Sequence, residues 1–407
     1  MIDRILKIKK KNIYDYVFIG ASPAMIARAS YYKFLGKKVA LIDRDKELGG
    51  SWRLISPFKD GLRYDCLERY LAGGFKSKEI LREYGCQIST RTLKYLFKKN
   101  LNIFEKKLIS KIFKPNKKLL SESERYTLLP ASEGQFIDLL RRGNIDKEEI
   151  KMYQEKLKTK EDRKIRRDAD VNLFFVENTD NLLKPLENRA IDYKVSIYKK
   201  TSVKKININK EFIKITGEFL NIYSSSVILG TYYNGKIFKN NREIKYKKKK
   251  NNRLTLIFRV YSKKKQKYKY LKFRGWEHIV ALQDVSSINE PSNRSTFSLF
   301  LNPDEKFAKE RDINYFFNFL KKKKVLNDDS NIEKYYWYSY SFIKGVDSIK
   351  EKISKITNNR VKCLYISNLG IDIVNNPKIW KIALTKASFI NKLTKYLKNE
   401  DSNELQN

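Results

Sequence analysis

The sequence predicts a protein of the α/β class with two structural units, and three observations support this prediction. The chain has 407 residues, which is enough to bury a substantial core and more than one small domain needs. Near its start, a strand, a helix and a second strand follow one another closely. Its second half contains short strands separated by polar turns, which is typical of an antiparallel sheet.

The N-terminal unit is predicted from a change in hydrophobic periodicity. The β-favouring run Tyr16–Ile19 stops at Gly20 and passes into a helical stretch that continues to about Leu35. Gly36 has the position just past that helix, and Val39–Ile42 reads as a second buried strand. The unit is therefore a βαβ unit, whose two strands should be parallel.

The middle of the chain mixes helices and strands. Helices are expected at Lys76–Tyr84 and Gly134–Arg142, and the charged stretch Asp146–Asp168 is expected to be a solvated helix. Short strands are expected after Pro185. They cover Tyr193–Tyr198, Val203–Ile208, Glu211–Thr216, Ser226–Leu229, Leu254–Val260, Tyr268–Phe273 and Ile279–Leu282. The later ones resemble hairpins of an antiparallel sheet.

The C-terminal part returns to a strand followed by a helix. Cys363–Ser367 reads as a strand, and Pro377 opens a helix that is expected to reach about Leu397. Asn376 is the expected N-cap of that helix.

Composition limits the classes of partner and compartment. There are 87 Lys and Arg against 46 Asp and Glu, a formal charge of +41, but the basic residues are spread along the whole chain. We therefore expect no specific nucleic acid partner. Cys66, Cys86 and Cys363 lack metal or disulfide spacing, which favours a reducing, cytoplasmic location and no metal site. The most apolar stretch, Tyr16–Ala27, is too short to span a bilayer.

The turn between the first strand and helix is a degraded nucleotide-binding motif. The pattern G-x-G-x-x-G lets the backbone approach a pyrophosphate at a helix N-terminus. Gly20 has the first position, Ser22 replaces the second glycine and Met25 the third. The Ser22 hydroxyl can itself donate to a phosphate oxygen. Taken alone, the turn is equally compatible with an ordinary βα connection.

The residues that follow make the pattern more specific. Asp43 ends the second strand, where a carboxylate can accept hydrogen bonds from a ribose diol. Arg44 follows, and after a short gap come Gly49, Gly50 and Ser51–Trp52. This arrangement resembles the FAD-dependent family that includes amine oxidases, protoporphyrinogen oxidase and UDP-galactopyranose mutase. Asp43 stands where that family more commonly has Glu. A plain NAD-binding unit and a degenerate fold without cofactor are the alternatives.

The resemblance extends to two later segments. It implies that Val203, in a middle strand, lies at the adenine, although a simple core role explains Val203 equally well. It also implies that Asn368 and Gly370 form a turn under the flavin before the C-terminal helix. Here Asn368 replaces a charged residue and Ser367 replaces a glycine, so the phosphate contact at this turn stays open.

The resemblance implies a Rossmann-type FAD-binding domain with an interleaved α+β substrate domain. We expect the FAD domain to comprise residues 13–60, 190–250 and 345–400, and the substrate domain residues 60–190 and 250–345. The expected function is an FAD-dependent redox step on a small organic substrate. A sugar-nucleotide mutase and a non-catalytic FAD-binding or scaffold protein are the alternatives, and no catalytic residue is assigned.

Two further features have both a functional and a structural interpretation. The lone His278 precedes a strand and fits a turn residue better than a catalytic base. An aromatic cluster near residue 338 fits either a flavin-facing wall or core. Strand alternation puts one set of its members on one face and the second set on the other. The sets are Tyr336, Tyr338 and Tyr340, and Tyr335 and Trp337.

Overall fold

The structure is a computed structural model. It describes residues 13–65, 71, 74–113, 121–123, 126–156, 172–177, 179–230, 233–245, 249–286, 290–302, 312–344, 346–364 and 369–385. Cys66, Ser367 and Asn368 lie outside the described residues, as does most of the C-terminal helix expected up to Leu397.

Strands and helices alternate along the described chain. The strands are β1 (Ile13–Ile19), β2 (Val39–Ile42), β3 (Ile88–Phe97), β4 (Ser121–Ser123), β5 (Tyr126–Pro130), β6 (Asn172–Val176), β7 (Ser196–Tyr198), β8 (Val203–Ile208), β9 (Ile213–Gly217), β10 (Asn221–Gly230), β11 (Lys236–Lys239), β12 (Arg242–Glu243), β13 (Lys249–Tyr261), β14 (Tyr270–Arg274), β15 (Ile279–Asp284), β16 (Arg294–Leu301), β17 (Asn331–Lys344) and β18 (Val361–Leu364). The helices are α1 (Pro23–Phe34), α2 (Gly74–Glu83), α3 (Ile103–Phe113), α4 (Ala131–Arg141), α5 (Lys147–Lys156), α6 (Asp180–Asp192), α7 (Ile313–Lys322), α8 (Val346–Ile356), α9 (Leu369–Asn375) and α10 (Pro377–Leu384), with a short 3₁₀ turn at Gly50–Trp52.

The first sheet has a parallel centre. Strands β7, β2, β1, β10 and β18 lie side by side in this order, and every neighbouring pair is parallel. The other strands of this sheet, β8, β9, β11 and β12, extend it beyond the first half of β10. Alternate residues of β1 enter two separate cores, Phe18 on one face and Val17 and Ile19 on the other. Both faces are therefore covered, as parallel sheets require.

The second sheet is mostly antiparallel. Its order is β17, β13, β16, β15, β14, β3, β5 and β4, and β6 also pairs with β3. The β14–β3 pair is parallel and the other pairs are antiparallel. One face packs on α3 and α4 and the other on α7. The predicted fold class, a parallel-rich α/β sheet with a separate antiparallel sheet, is confirmed.

The predicted βαβ unit is confirmed, and the structure contains a helix, α6, that was not predicted. Pro185 lies inside this helix, and the strands predicted after Pro185 begin beyond its end. Leu182, Leu186 and Ala190 repeat at helical spacing and are buried, so packing overrides the helix-breaking tendency of proline. Pro185 cannot donate to the carbonyl of Asn181, and the thiol of Cys86 lies 3.7 Å from that oxygen instead.

Strand β7 is the last part of the predicted strand Tyr193–Tyr198, for which no partner strand was predicted. It pairs in parallel with β2. The hairpins β8–β9 and β14–β15–β16 do form as antiparallel pairs. The charged stretch after residue 146 contains α5, which ends at Lys156; residues 157–168 of it lie outside the described chain.

The C-terminal helices dock on α1 through a buried ion pair. Arg28 donates from both terminal nitrogens to the two carboxylate oxygens of Asp372, at 2.9 and 2.6 Å. The indole of Trp380 donates to the same carboxylate at 2.9 Å. Asn376 begins α10 as predicted, but its side chain donates to Asp372 and does not cap the helix.

The described residues contain neither a membrane-spanning helix nor a metal-binding cluster. No helix there is both long and apolar enough to cross a membrane. Nor does any group of three or more His, Cys, Asp or Glu side chains in these ranges have an arrangement that could hold a metal ion.

Candidate functional site

The carboxyl ends of β1 and β10 meet at two glycines. Gly20 follows β1 with a φ of +99°, and Gly230 ends β10. A Cβ added to Gly20 would lie 3.6 Å from the Cα of Gly230, and one added to Gly230 would lie 3.0 Å from the carbonyl oxygen of Ile19. Helix α1, which follows β1, packs on one face of this sheet, and α8, which precedes β18, packs on the other. Open α/β sheets bind ligands at the strand ends where the connections change face in this way.

The turn Gly20–Pro23, which we call the Gly20 turn, leads directly into α1. Pro23 takes the first helical position, and the carbonyl of Ser22 accepts from Met25 N at 2.9 Å. The N–H groups of Ser22 and Ala24 have no acceptor among the described residues. Such free donors at the positive end of a helix bind anions. Met25, at the third glycine position, turns into the core.

Asp43 ties the Gly20 turn to the end of β2. One of its carboxylate oxygens accepts from Ala21 N at 2.7 Å and the other from Asp45 N at 2.9 Å. Burial raises the pKa of the Asp43 carboxyl, although both N–H groups act in the opposite direction. A carboxylate has about four lone-pair sites, so two remain for a ligand.

The glycine pair lies against the Gly20 turn. Gly49 N donates to the carbonyl of Ala21 at 2.7 Å, and its φ is +117°. A Cβ on Gly49 would lie only 2.6 Å from a methyl of Leu183, so the chain is tightly packed there. Gly50 has a φ of +55°, and its added Cβ would lie 3.6 Å from Ser22 N without a clash. Of the two glycines, only Gly50 has a Cβ position that faces Ser22, at ordinary van der Waals distance.

Arg53 holds this loop in place through hydrogen bonds. This role was not predicted from the sequence. Its guanidinium donates to the carbonyl of Gly50 at 3.1 Å and to the Asp45 carboxylate at 2.7 Å. Arg44, by contrast, has 64% of its side chain exposed and lies 3.9 Å from Asp45. In the sequence, the pattern Asp43-Arg44-Asp45 followed by Arg53 could have indicated this ion pair.

The remaining predicted site residues lie at different distances from the turn. Ser51 is exposed, and the carbonyl of the half-buried Trp52 accepts from the Thr179 hydroxyl at 2.8 Å. The chain approaches β8 past Asp43, because Thr201 N donates to the Asp43 carbonyl at 2.9 Å. Val203 therefore begins β8 beside this end of the sheet. Gly370 is buried in α9.

The segment after the glycine pair crosses to the second sheet. Ile55 and Tyr64 pair as a short antiparallel bridge, with N–H to carbonyl distances of 3.0 and 2.8 Å. The Ser298 hydroxyl, on β16, then donates to the carbonyl of Asp65 at 2.6 Å. The candidate cofactor loop is thus joined directly to one face of the second sheet.

On that face lies a buried polar group, which we call the Arg259 cluster. Its members are Asp60, Tyr64, Arg259, Glu290 and Thr296. The guanidinium contacts Asp60 at 2.7 Å, Glu290 at 3.4 Å and the Tyr64 hydroxyl. Thr296 donates to the same Glu290 oxygen at 2.7 Å, and the Tyr64 hydroxyl also donates to it. Burial, together with Glu290, raises the pKa of Tyr64 well above its ordinary value.

Two polar groups on this face lack protein partners. The second carboxylate oxygen of Glu290 and both amide atoms of the fully buried Gln283 have no partner among the described residues. Gln283 is paired across the sheet with Ser298, so both lie on the face that receives Asp65. Buried groups of this kind are uncommon and often mark functional places. In the sequence, this place could have been recognised from Gln283, a single polar residue within an otherwise apolar run.

The aromatic cluster divides between two faces as the alternation predicts. Trp337 packs toward Phe316, with ring centroids 6.3 Å apart, while Tyr338 and Tyr340 stack at 5.9 Å. Tyr336 is 41% exposed, and no observation tests its role in a pocket. His278 is half-buried before β15, where its carbonyl accepts from Asn302 N, as a turn residue does.

Comparisons with known proteins agree with this architecture. No protein family model and no curated sequence matches the chain. Among solved structures, wild-type putrescine oxidase bound to putrescine has a TM-score of 0.55 at 12% identity, over 93% of this chain and 99% of that one. A putative protoporphyrinogen oxidase from Exiguobacterium sp. 255-15 has a TM-score of 0.56 at 11% identity, over 93% and 98%.

Reduced UDP-galactopyranose mutase matches with a TM-score of 0.53 at 11% identity, over 86% of this chain and 87% of that one. Identities this low establish the fold and nothing more specific. The chain has the fold of the FAD-dependent amine oxidases, as the sequence resemblance predicted.

Proposed function

We propose that this chain binds FAD noncovalently at the Gly20 turn and uses it in a redox step on a small organic substrate. The observation that carries the proposal is the convergence of the Gly20 turn, Asp43 and Gly50 at the strand ends where β1 and β10 separate. The shared fold supports it.

The residues present fit the cofactor. The free N–H groups of Ser22 and Ala24, at the start of α1, would bind the pyrophosphate. Asp43 would accept the ribose hydroxyls with its two remaining lone pairs. No side chain stands between Gly50 and Ser22, where an added Cβ would already contact Ser22. Val203 would lie at the adenine, and the turn before Gly370 near the flavin.

We further propose that the first sheet, from residues 13–60, 190–250 and 345–400, forms the FAD domain. Residues 60–190 and 250–345 would form the substrate domain. When bound, the flavin ring exchanges electrons with the substrate. The chain itself would position the reactants and exclude water, and the buried polar face with Gln283 and Glu290 would orient the substrate.

The test is the absorption spectrum of purified protein, before and after anaerobic reduction, with heat-released cofactor identified by chromatography. We expect a flavin spectrum and released FAD. The variant Gly50→Val should lose nearly all flavin, because its side chain would fill the space over Ser22. Gly36→Val is the matched control, since Gly36 also has a positive φ, +79°, but has nothing within 4 Å of an added Cβ.

A colourless wild-type protein that takes up no added FAD would contradict cofactor binding. Bound FAD that no electron donor can reduce would instead favour the non-catalytic alternative. A flavin-dependent sugar-nucleotide mutase is a second candidate, which the match to reduced UDP-galactopyranose mutase favours. It predicts turnover of a sugar nucleotide only after the flavin is reduced, with no net consumption of electrons.

A further inference from the structure

The first turn of α3 presents two large apolar side chains to solvent. Ile103 is 75% exposed and Phe104 is 60% exposed. The same helix has a regular buried stripe that includes Leu108, Ile109 and Ile112, so its contacts with the core are made from another face. Two adjacent apolar residues at one helix end are not explained by core packing.

A rigid frame holds this turn in place. Asn102 and Glu105 form a reciprocal cap, in which Glu105 N donates to the Asn102 side chain at 2.8 Å and Asn102 N to the Glu105 carboxylate at 2.9 Å. Arg141 binds the same carboxylate through two nitrogens, at 2.8 and 2.9 Å, and donates to the carbonyl of Asn100 at 3.0 Å. Ile103 and Phe104 therefore project from a fixed support.

The surroundings of the two apolar side chains are strongly basic. Lys98 and Lys99 precede the turn, Lys106 and Lys107 follow it, and all four are exposed. The only acidic residue in the sequence from 98 to 111 is Glu105, which is buried and bound to Arg141. Every exposed charged side chain between residues 98 and 111 is therefore a lysine, and the apolar pair lies among these lysines in sequence.

This combination fits one kind of partner better than others. A lipid bilayer surface offers an apolar layer beneath anionic headgroups, which matches apolar side chains bordered by lysines. A nucleic acid would use the lysines and stack on Phe104, but it offers nothing to Ile103. We propose that the first turn of α3 docks on an anionic membrane surface, with Ile103 and Phe104 inserted among the headgroups.

The test measures binding of the full-length protein to vesicles. Phosphatidylcholine vesicles with added phosphatidylserine should bind the protein, and phosphatidylcholine alone should bind it much more weakly. The double variant Ile103→Ser, Phe104→Ser should bind the mixed vesicles about 10- to 100-fold more weakly, because the inserted apolar area is lost. Phe219→Ser is the control, since Phe219 is 98% exposed but lies in the β9–β10 turn.

A second pair of variants tests the charges. Lys106→Gln with Lys107→Gln should weaken binding to the mixed vesicles by about tenfold or more. Lys264→Gln with Lys265→Gln makes the same change of net charge in an exposed turn elsewhere and should have little effect. Flavin content and melting temperature should stay at wild-type values in all variants, because these side chains are exposed, so membrane docking and cofactor binding are judged separately.

Three outcomes would overturn the proposal. The first is no binding to the mixed vesicles. The second is equal binding by wild type and the double serine variant, which would mean that the overall charge of +41 acts without a specific site. The third is a loss of duplex DNA binding in the serine variant with vesicle binding unchanged.

Discussion

The Gly20 turn and the Arg259 cluster are built in different ways. The turn is built from the main chain. Gly20, Gly49 and Gly50 have positive φ angles and no Cβ atoms, and the turn has free N–H groups. In the cluster, side chains from widely separated parts of the chain bind one another around the buried Arg259. A main-chain site depends on backbone shape and leaves room for a ligand, whereas a side-chain cluster depends on the balance of its charges.

The largest expected effect tests that charge balance. Arg259 has a side chain that is 6% exposed, and it pairs with Asp60 and with Glu290; the side chain of Glu290 is 2% exposed. Arg259→Met should therefore destabilise the protein by about 3–5 kcal/mol, since it leaves the buried Glu290 carboxylate without its cationic partner. Urea unfolding measures the loss. Arg294→Met, which removes an ion pair to Glu333 from a side chain that is 42% exposed, should cost only about 0–1 kcal/mol.

A rescue experiment sharpens this prediction. Adding Glu290→Gln to Arg259→Met removes the unbalanced charge and should recover part of the stability. If Arg259→Met and Arg294→Met had similar small effects, the cluster would not be a charge-balanced unit, and the contrast with the turn would fail.

The second prediction separates the two glycines of the pair. Gly49→Ala combines strain at a φ of +117° with a contact 2.6 Å from Leu183, so it should cost about 2–4 kcal/mol of folding stability. Gly50→Ala has no clash and should cost about 1–2 kcal/mol. The added methyl group of Gly50→Ala faces Ser22. This variant should therefore lower the affinity for FAD by more than its small loss of stability would predict. Equal losses of stability in the two variants would contradict this division.

The contrast also explains what could be predicted from sequence. The βαβ unit, Asp43 and Gly49–Gly50 are close in sequence, and their spacing alone indicated the fold and the position of a nucleotide site. Asp60, Arg259 and Glu290 are far apart in the chain: Arg259 lies on β13, Glu290 precedes its partner strand β16, and Asp60 comes from the loop after the glycine pair. No local pattern could bring them together.

Two features of the fold were not predicted from the sequence, for the same reason. Helix α6 forms in spite of Pro185, because Leu182 and Leu186 bury their side chains against the first sheet. Strand β7 joins the parallel centre because the end of β2 offers it a free edge. In both cases tertiary packing outweighs the local preference of the residues. The sites and domain boundaries expected from the sequence resemblance stay predictions.

The smallest expected effect concerns pH, and it distinguishes the two regions by sign. Burial raises the pKa of Asp43. For Asp60, burial acts in the same direction, but the hydrogen bond from Arg259 and the Leu62 N–H outweigh it and lower the pKa. An acid with a raised pKa contributes stability that is present below its unfolded pKa, about 3.9, and is lost as pH rises through the folded pKa. An acid with a lowered pKa contributes stability that is present above about pH 3.9 and lost on further acidification.

Urea unfolding of wild type, Asp43→Asn and Asp60→Asn across the acidic range measures these contributions, since asparagine does not titrate. As pH falls, the stability of wild type relative to Asp60→Asn should decrease, because the carboxylate bound to Arg259 becomes protonated. Relative to Asp43→Asn it should increase, because the buried carboxyl of Asp43 is easier to keep in its neutral form. Slopes of the same sign would mean that the hydrogen bonds from Ala21 N and Asp45 N outweigh burial at Asp43. The Asp43 carboxylate would then be a stable anion in the folded protein. Its negative charge would compensate the main-chain N–H donors of the Gly20 turn before any ligand binds.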